Sequence, residues 1–409
     1  MTSASPVDDQ TNKLAQQDID TFPALKQSLR YQLVRNLQHS LFGVVKLCWD
    51  NLTRQQVCIK VSCKKNCDAQ NAITGPKVME SVRAEAAILR FLTKQASTLP
   101  KQTQEINEID WQTHGIVGSQ HIAQFIDELE DESFHYLITE CCDRDLLTVL
   151  LQNKEEKQKE IQGKAILYVG LSEQLARVYF TQLVQAVTFL HLNHVSHVDL
   201  SVENVCLITA TNQVKLIDFG LAIMHPESPH CQSLLVSNST NSADQTIELR
   251  KIAFVKQTQN QDQNQGLVNQ TSYTSSFLCE PIKQSPSTKN PGEQVIARPG
   301  KNRYMSPELY AGNTVWDAYS HDRYALGVVL FVLLTGCPAY KVPTHHDRWF
   351  ELIYSGLWRT SVVRQQLNLQ QVYGHLSEEA IDLIDHLIKP EAQRLTLEQI
   401  LTHPWMQLR

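Results

Sequence analysis

Alternating and short apolar runs mark the first part of the chain as rich in β-strands. Residues 31–34, 42–48 and 56–61 are short, contain many β-branched side chains and are typical of strands. A further strand is predicted at 134–139. Residues 78–93 carry apolar or small side chains at three- to four-residue intervals, which predicts a helix. We therefore expect a small sheet that carries one helix.

Helical periodicity dominates the rest of the chain. Residues 171–192 form a long amphipathic pattern, and 322–335 is almost wholly apolar, which predicts a buried helix. Shorter helices are predicted at 377–387 and 396–401, because each begins with a hydroxyl residue and has glutamate in its first turn, as at helix N-caps. Strand patterns therefore come first, and helical patterns dominate after about residue 140.

Polar segments divide this pattern. Residues 1–25 are predicted to be a flexible tail, and 152–168 a charged insertion. Residues 225–299 are rich in Gln, Asn, Ser and Thr, and such a composition buries too little apolar surface to offset the entropy of ordering. We expect most of this long insertion to be disordered.

Composition limits the classes of partner. The 409 residues are 42% hydrophobic and 20% charged, as in ordinary globular proteins, and 37 basic against 43 acidic residues give a net charge of −6. No global basic field is present, so neither nucleic acid nor a membrane is an expected partner. Ten cysteines lack the CxxC spacing of metal sites, and the N-terminus lacks a secretory signal. A reducing, cytoplasmic or nuclear setting is the expectation.

Two short segments carry the strongest chemical signal. They are His-Val-Asp-Leu-Ser-Val-Glu-Asn at 197–204 and Asp-Phe-Gly at 218–220, separated by a hairpin-like pattern. Phosphoryl transfer needs oxygen ligands for Mg²⁺ and a carboxylate that positions the attacking hydroxyl. Asp199, Asn204 and Asp218 supply this set. Each motif alone is a weak signal, because an isolated Asp-Phe-Gly is usually a turn.

Three further segments stand at matching places in the chain: Val-Cys-Ile-Lys at 57–60, Arg-Ala-Glu at 83–85 and Ser-Pro-Glu at 306–308. With all five segments in this order, the chain resembles the eukaryotic protein kinase family from about residue 31 to 405. Its C-terminal segment, 393–405, is most similar to the calmodulin-dependent kinase group. The resemblance implies an α+β, two-lobed fold. Residues 26–140 would form a small antiparallel sheet lobe with one helix, residues 141–409 a larger mainly helical lobe, and ATP would lie between them.

The resemblance also implies roles for individual residues. Lys60 matches the strand lysine that holds the α- and β-phosphates of ATP, and Glu85 matches its ion-pair partner. Asp199 matches the catalytic aspartate, and Asn204 and Asp218 match the ligands of Mg²⁺. Taken singly, Lys60 and Glu85 would instead be interpreted as solvated side chains.

Further matches concern the rest of the nucleotide site. Thr139 falls at the gatekeeper position, where the strand meets the hinge. For the apolar residues ordinary core packing is the competing interpretation, because both roles look alike in sequence. The predicted nucleotide contacts are Leu37, Gly43, Val45, Cys58 and Cys206, with Glu140 and Cys142 at the hinge.

Other matches are structural. His197 and Phe219 resemble members of an internal hydrophobic spine, and Glu308 and Arg394 match a buried ion pair. Asp322 matches an aspartate that caps the backbone of the catalytic loop, and it could also serve as an ordinary helix N-cap, since the two roles are compatible.

The sequence departs from the family pattern at several positions. Residues 38–43, Gln-His-Ser-Leu-Phe-Gly, keep only the last glycine of the phosphate-covering loop. Val198 stands where most members have an arginine that binds a phosphate on the activation loop, so we expect activity without phosphorylation there. Ser201 replaces a lysine near the γ-phosphate, and we hypothesise that Lys301 returns this charge as a catalytic residue. A solvated loop lysine is the alternative for Lys301.

The sequence therefore favours an ATP- and Mg²⁺-dependent kinase that transfers the γ-phosphate to Ser or Thr of protein substrates. The alternative is a pseudokinase that acts as a nucleotide-binding scaffold or interaction module, which the lost glycines, Val198 and Ser201 favour. A small-molecule phosphotransferase is a third class, and the Ser-Pro-Glu segment argues against it. The substrate protein, the upstream regulator and the oligomeric state are not encoded in a recognisable pattern.

Overall fold

The computed structural model describes residues 22–73, 78–99, 111–160, 169–225, 228, 277–278, 299–312, 315–359 and 376–408. Most of the predicted insertion 225–299 and part of the insertion 152–168 lie outside these residues. The strands are β1 Tyr31–Ser40, β2 Gly43–Asp50, β3 Gln55–Cys63, β4 Phe125–Glu130, β5 Phe134–Glu140, β6 Arg144–Asp145, β7 Val195–Ser196, β8 Val205–Ile208, β9 Gln213–Leu216, β10 Ile223–Met224, β11 Phe277–Leu278 and β12 Val315–Trp316.

Helices make up most of the remaining described chain. In order they are α1 Pro23–Ser28, α2 Lys64–Ala69, α3 Val82–Thr98, α4 Trp111–Gly118, α5 Leu146–Glu160, α6 Glu173–Leu192, α7 Pro307–Tyr310, α8 Ala318–Thr335, α9 Arg348–Tyr354, α10 Glu378–Leu387, α11 Leu397–Thr402 and α12 Pro404–Gln407.

The small lobe is a five-stranded antiparallel sheet in the order β1-β2-β3-β5-β4. The predicted strands at 31–34, 42–48, 56–61 and 134–139 are all present, and β4 is an additional strand that pairs with β5. The predicted helix at 78–93 is α3, which begins at Val82 because the Ser81 hydroxyl accepts a hydrogen bond from the Ala84 amide at 3.2 Å. The predicted small sheet with one principal helix is confirmed.

The last residues of the predicted flexible segment 1–25 pack on the small lobe, and residues 1–21 lie outside the described residues. Phe22 and Leu25, which fall in the predicted flexible segment 1–25, are buried against the small sheet. The Phe22 ring makes an edge-to-face contact with Phe134 at 5.3 Å between centroids, and the Lys46 ammonium lies 5.2 Å from its centre. These aromatic contacts stabilise α1 on the sheet in spite of the polar sequence around it.

The large lobe is built around α6 and α8, the two longest helices of the described chain. Every residue of α8 from Tyr324 to Thr335 is buried, as the apolar run predicts. The cap of α8 is Asp317, whose carboxylate accepts from the Tyr319 amide at 2.9 Å, so Asp322 is not an N-cap. The helix begins at this cap, before the apolar run, and its residues His321 and Asp322 contact the catalytic loop.

The other predicted helix starts are confirmed. Ser172 caps α6, Ser377 caps α10, and Thr396 caps α11 in a reciprocal capping box with Gln399. Part of the predicted insertion 152–168 is the exposed C-terminal end of α5. None of the helices in the described part of the chain has the length and apolarity that crossing a bilayer requires.

A second, three-stranded sheet in the order β6-β8-β9 lies where the two lobes meet. Its hairpin, β8 and β9, is the one predicted around residues 208–213. Asn204 directly precedes β8, and Asp218 follows β9 by two residues. The Ile217 amide donates to the Asn204 carbonyl at 2.9 Å, which holds the two chain segments side by side. The hairpin therefore brings both predicted Mg²⁺ ligands to one edge.

Candidate active site

A cleft of about 980 Å³ separates the small sheet from the helical lobe. Both lobes contribute to its walls. The small lobe and hinge contribute Leu37, Val45, Cys58, Lys60, Glu85, Thr139, Glu140 and Cys142, and the large lobe contributes Asp199, Asn204, Cys206, Asp218 and Lys301. Of the site residues predicted from the sequence, Gly43 is the one that does not line this cleft.

A lysine from the small lobe joins two carboxylates inside the cleft. The Lys60 ammonium lies 2.8 Å from Glu85 Oε2 on α3 and 3.1 Å from Asp218 Oδ1 in the large lobe. Lys60 is 15% and Glu85 4% exposed as side chains. Pairing of β3 with β5 places Lys60 opposite Leu137, in the middle of the sheet, so its backbone position is well fixed. The three groups tie helix α3, the sheet and the Asp-Phe-Gly turn together.

The charges of this trio stabilise one another. Burial acts to lower the pKa of Lys60, but the carboxylates of Asp218, Glu85 and Glu80 outweigh it and hold that pKa well above its ordinary value. Burial acts to raise the pKa of Asp218, but the Lys60 ammonium keeps it below its usual range. Lys60 is therefore a cation and Asp218 an anion at neutral pH.

Asp199 lies beneath this trio, in the loop that precedes β8. Its Oδ2 accepts a hydrogen bond from the Asn204 side-chain amide at 2.7 Å, and the same amide donates to the Asp199 carbonyl at 2.8 Å. These contacts fix the carboxylate in the large-lobe wall. The structure thus brings Asp199, Asn204 and Asp218 to one cleft opposite Lys60.

Backbone strain and a buried aspartate shape this loop. Val198 has a φ of 68°, a conformation that a β-branched side chain rarely adopts. The fully buried carboxylate of Asp322 accepts from the amides of His197 and Val198, both at 2.9 Å, and the His321 ring nitrogen donates to the Val198 carbonyl at 3.0 Å. Asp322 therefore caps the catalytic-loop backbone and offsets the strain at Val198.

Lys301 comes from the far side of the long insertion and reaches the catalytic loop. Its ammonium lies 2.8 Å from Asp199 Oδ2 and 3.0 Å from Ser201 Oγ, and its amide donates to Asp199 Oδ1 at 3.1 Å. Gly300 permits this approach. Its φ is 88°, and a Cβ there would lie 3.1 Å from the Val198 carbonyl oxygen and 3.2 Å from Asp199 Oδ1.

Gly43 does not line the cleft in the structure, and its predicted contact with the nucleotide stays a prediction. Strands β1 and β2 join in a tight turn at Leu41 and Phe42, and Gly43 pairs with Ser40 directly after it. A Cβ on Gly43 would lie 1.9 Å from the Val61 carbonyl oxygen, so the glycine is required by the close approach of β3. Residues 38–41 line the cleft instead.

The hinge connects the lobes after β5. The Glu140 carboxylate forms an ion pair with the buried Lys215 at 2.9 Å, and the Asp143 amide donates to the Leu207 carbonyl at 3.0 Å. Thr139 and Cys142 line the cleft on either side of Glu140. The hinge is thus held on the three-stranded sheet β6-β8-β9, and the inner face of the hinge lines the cleft.

Glu80 is a cleft residue that the sequence analysis missed. Its side chain lies over Gly220, where a Cβ would be 3.2 Å from Glu80 Oε2. Burial, followed by the charges of Asp218 and Glu85, raises its pKa to about 7, against the opposing effect of Lys60. It precedes α3 without a recognisable motif, so only the fold places it here.

The two residue pairs predicted to have structural roles are also in contact. The His197 and Phe219 rings lie 4.8 Å apart in an edge-to-face contact. Glu308 and the buried Arg394 form a bidentate ion pair with distances of 2.5 and 2.8 Å. The pair joins α7 to the segment before α11, and so fixes the chain that follows Lys301 to the large lobe.

Comparison with known proteins agrees with this geometry. The family described as "Protein kinase domain" matches residues 76–243 and 283–406. The SNF-related serine/threonine-protein kinase of Homo sapiens is 23% identical over 379 residues, which is 92% of this chain and 33% of that protein. Calcium-dependent protein kinase 3 of Oryza sativa subsp. japonica is 23% identical over 382 residues, 92% of this chain and 47% of that protein.

A yeast relative extends the match. The probable serine/threonine-protein kinase HSL1 of Saccharomyces cerevisiae is 24% identical over 416 aligned residues, which cover 97% of this chain and 21% of that protein. The chain therefore spans less than half of the length of these three relatives. The family match covers most of the chain, and the two lobes, the cleft and its charged groups have the arrangement expected of it. The chain belongs to the protein kinase family.

Proposed function

We propose that this chain is an active protein kinase that transfers the γ-phosphate of ATP to serine or threonine side chains of protein substrates, with Mg²⁺ as its metal ion. The observation that carries the proposal is the contact of Lys60 with both Glu85 and Asp218, at 2.8 and 3.1 Å, above Asp199 and Asn204 in the same cleft. The relatives named as serine/threonine kinases support the choice of acceptor.

Different residues of the cleft are proposed to contact the adenine and the phosphates of the nucleotide. The adenine would lie among Leu37, Val45 and Cys58 of the small lobe and Cys206 of the large lobe, next to the hinge at Cys142, all of which line the cleft. Lys60 binds the α- and β-phosphates, and Glu85 keeps its ammonium oriented toward them. Positioning of this kind removes the entropic part of the barrier in advance of the reaction.

The charges of the cleft fit a divalent cation. Four carboxylates, those of Glu80, Glu85, Asp199 and Asp218, face the ammonium groups of Lys60 and Lys301. Carboxylate and amide oxygens are the donors that Mg²⁺ prefers, so Asp218 and Asn204 would hold it. A cation held by these two residues would supply positive charge against the negative charge that develops on the phosphates during transfer.

Asp199 is the residue proposed to act on the acceptor hydroxyl of the substrate. Its carboxylate is held by Asn204 and Lys301, and it lies at the floor of the cleft. It orients the hydroxyl of the substrate serine or threonine and accepts its proton late in the transfer. We propose that Lys301, from the opposite side, supplies the positive charge that Ser201 lacks.

Activity independent of activation-loop phosphorylation is part of the proposal. Val198 is 1% exposed and packs with Met305, Leu309 and Trp316. An apolar side chain at this position cannot bind a phosphate group. The hydrophobic contacts provide the link between the catalytic loop and the segment after Lys301 that a charged pair would otherwise provide.

The test is phosphate transfer from γ-labelled ATP to a mixed serine, threonine and tyrosine peptide pool in the presence of Mg²⁺. We expect label on serine and threonine, a loss of roughly a hundredfold or more for Lys60→Met, and wild-type rates for Lys64→Met. Lys64 is a matched control because it forms a comparable ion pair with Glu130, at 3.2 Å, outside the cleft. Nucleotide binding without transfer would instead support the pseudokinase alternative.

A second variant separates chemistry from binding. Asp199→Asn keeps the size of the side chain and removes the proton acceptor, so turnover should be abolished while the thermal shift produced by ATP remains. Undiminished turnover of Asp199→Asn would contradict the assignment of Asp199.

A further inference from the structure

The end of strand β1 carries two polar side chains at positions where the family pattern has glycines. These residues, Gln38 and Ser40, both line the cleft. The Ser40 hydroxyl oxygen is buried, and it has no hydrogen-bond partner among the residues that the structure describes. Leaving a buried hydroxyl without a partner is costly, so such groups are usually satisfied by water or by a ligand. The Ser40 hydroxyl is therefore a candidate to bind a ligand of the cleft.

The register of the sheet shows the direction in which these side chains project. Gln38 pairs with Val45, and Val45 pairs with Lys60, so the three residues form one row across β1, β2 and β3. Residues directly opposite each other in a sheet project from the same face, and Val45 and Lys60 both line the cleft. Ser40 lies two residues beyond Gln38 and therefore projects from that same face.

The order of the rows places Ser40 at the phosphate end of the cleft. Strands β1 and β3 run in the same direction, since each is antiparallel to β2. Strand β3 passes from Cys58, beside the proposed adenine position, to Lys60, which is proposed to hold the α- and β-phosphates. Strand β1 passes from Leu37 through the row of Lys60 to Ser40, which lies one row, or about 7 Å, farther from the adenine. This is the side of Lys60 on which the terminal phosphate of ATP would lie.

The row that contains Ser40 provides an internal comparison. Its middle residue is Gly43, which has no side chain to bind the hydroxyl, and its next member is Ser62 on β3. Ser62 is fully buried, and its hydroxyl oxygen also lacks a hydrogen-bond partner within the described part of the chain. Ser62 does not line the cleft, whereas Ser40 does. The two serines therefore have the same chemistry and differ in their access to a ligand.

We propose that the Ser40 hydroxyl donates a hydrogen bond to the terminal phosphate of bound ATP. The proposal rests on the function proposed above, because it concerns the nucleotide of that site. A glycine permits close approach of the backbone to a phosphate, and a side chain hinders it. The Ser40 hydroxyl extends beyond the backbone, so it replaces the backbone contact that the side chain prevents. Its hydrogen bond to a charged phosphate oxygen is stronger than one between neutral groups.

The test is titration calorimetry of the full chain with ATP, ADP and adenosine, each in the presence of Mg²⁺. Ser40→Ala should weaken the binding of ATP roughly tenfold, the effect of one hydrogen bond to a charged group. ADP and adenosine lack the terminal phosphate, so their affinities should change by no more than about twofold. Ser40→Thr keeps the hydroxyl on a residue that suits a strand, and it should retain most of the wild-type affinity for ATP.

Ser62→Ala is the matched control. It removes a second buried hydroxyl of the same row outside the cleft, so its affinity for ATP should equal that of the wild type. Thermal unfolding without nucleotide establishes that each variant is folded before the titrations are compared.

Each outcome decides the proposal. Unchanged binding of ATP by Ser40→Ala overturns it, and so does tighter binding, which would mean that the side chain obstructs the phosphate. Equal weakening for ATP, ADP and adenosine overturns it as well, because the whole loop would then have changed. So does an equal loss of ATP affinity in Ser62→Ala.

Failure of the proposed function gives a different result. A wild type that binds ATP and transfers no phosphate overturns the kinase activity, and the titrations still decide the role of Ser40. A wild type that binds no ATP overturns both.

Discussion

The ammonium of Lys301 lies 2.8 Å from the carboxylate of Asp199, although 102 positions separate the two residues in the chain. The same ammonium contacts Ser201 Oγ at 3.0 Å. The Ser201 hydroxyl and the Lys301 ammonium are thus adjacent to each other beside the proposed catalytic aspartate. This contact is what the hypothesis of a relocated lysine requires, and its catalytic consequence is open to a direct test.

Removal of the Lys301 charge should slow turnover and leave nucleotide binding largely intact. We expect Lys301→Ala to lose roughly a hundredfold in kcat, because a positioned charge stabilises the transition state more than the ground state. Lys301→Arg should recover only part of this, since the guanidinium fork is wider than an ammonium. The measurement is steady-state peptide phosphorylation with separate kcat and KM values.

Lys389→Ala is the matched control, because Lys389 forms an ion pair with Asp385 at 3.4 Å away from the cleft. Its kcat should equal that of the wild type. An unchanged kcat of Lys301→Ala would reduce Lys301 to an ordinary loop lysine.

Phosphatase treatment should leave the activity unchanged. The apolar Val198 packs against Met305 and Trp316, so no phosphate is needed to connect the catalytic loop to the segment after the insertion. Rates before and after complete dephosphorylation, checked by mass spectrometry, should agree within a factor of two or so. A large fall in rate that returns on rephosphorylation would contradict the role assigned to Val198.

Breaking the Glu308–Arg394 ion pair should destabilise the large lobe. Arg394 is fully buried as a side chain and also donates to the Lys389 carbonyl at 2.7 Å and to Ser320 Oγ at 3.0 Å. Arg394→Leu leaves the Glu308 carboxylate without its buried partner, and we expect a loss of about 3–5 kcal/mol in the free energy of unfolding. Urea denaturation measures this loss.

The double variant Glu308→Leu with Arg394→Leu tests whether the loss in stability comes from leaving one buried charge without its partner. It should be less destabilised than the sum of the single variants, because no charge is left buried alone. Strict additivity would mean that the two side chains act independently.

His121 should make the protein sensitive to acid. Burial lowers its pKa to about 4, and its Nδ1 hydrogen-bonds the Val214 carbonyl at 3.0 Å. Below about pH 6.5 the unfolded chain binds a proton at this histidine, while the folded chain stays neutral until about pH 4. The stability that the neutral ring contributes is therefore present above pH 6.5 and is lost as the pH falls through this window.

The measurement compares wild type with His121→Asn, which cannot titrate. Between pH 6.5 and 4.5 the wild type should lose about 2 kcal/mol more in the free energy of unfolding than the variant. Comparing the pH slopes of the wild type and the variant cancels the contributions of other titrating groups and of packing lost in the variant. Equal slopes would mean that His121 has the same pKa in the folded and the unfolded chain, which would contradict the prediction.

Much of the fold was predictable because its signals are local. The apolar period of α8, the hydroxyl caps of α6, α10 and α11, and the short strands β2, β3 and β5 all follow from neighbouring residues. The α+β fold and the family followed from motifs whose residues are close in sequence. Lys60, Glu85, Asp199, Asn204 and Asp218 share one cleft, as those motifs imply.

The features that were missed depend on distant contacts. Phe22 and Leu25 are ordered because of a sheet formed elsewhere in the chain, and Gly43 is fixed by the carbonyl of Val61 on the next strand. Glu80 likewise takes its place in the cleft from the packing of the segment before α3. No pattern of neighbours distinguishes such residues from ordinary polar side chains.

The central claim is that Lys60, Asp199, Asn204 and Asp218 form one Mg²⁺-dependent phosphoryl-transfer site. The most direct measurement is transfer of the γ-phosphate of ATP by the purified chain with Mg²⁺, beside the Asp218→Ala variant. We predict transfer by the wild type, its loss on chelation of Mg²⁺ and its loss in Asp218→Ala. A wild type that binds nucleotide without transferring phosphate, or an Asp218→Ala variant with undiminished transfer, would contradict the claim.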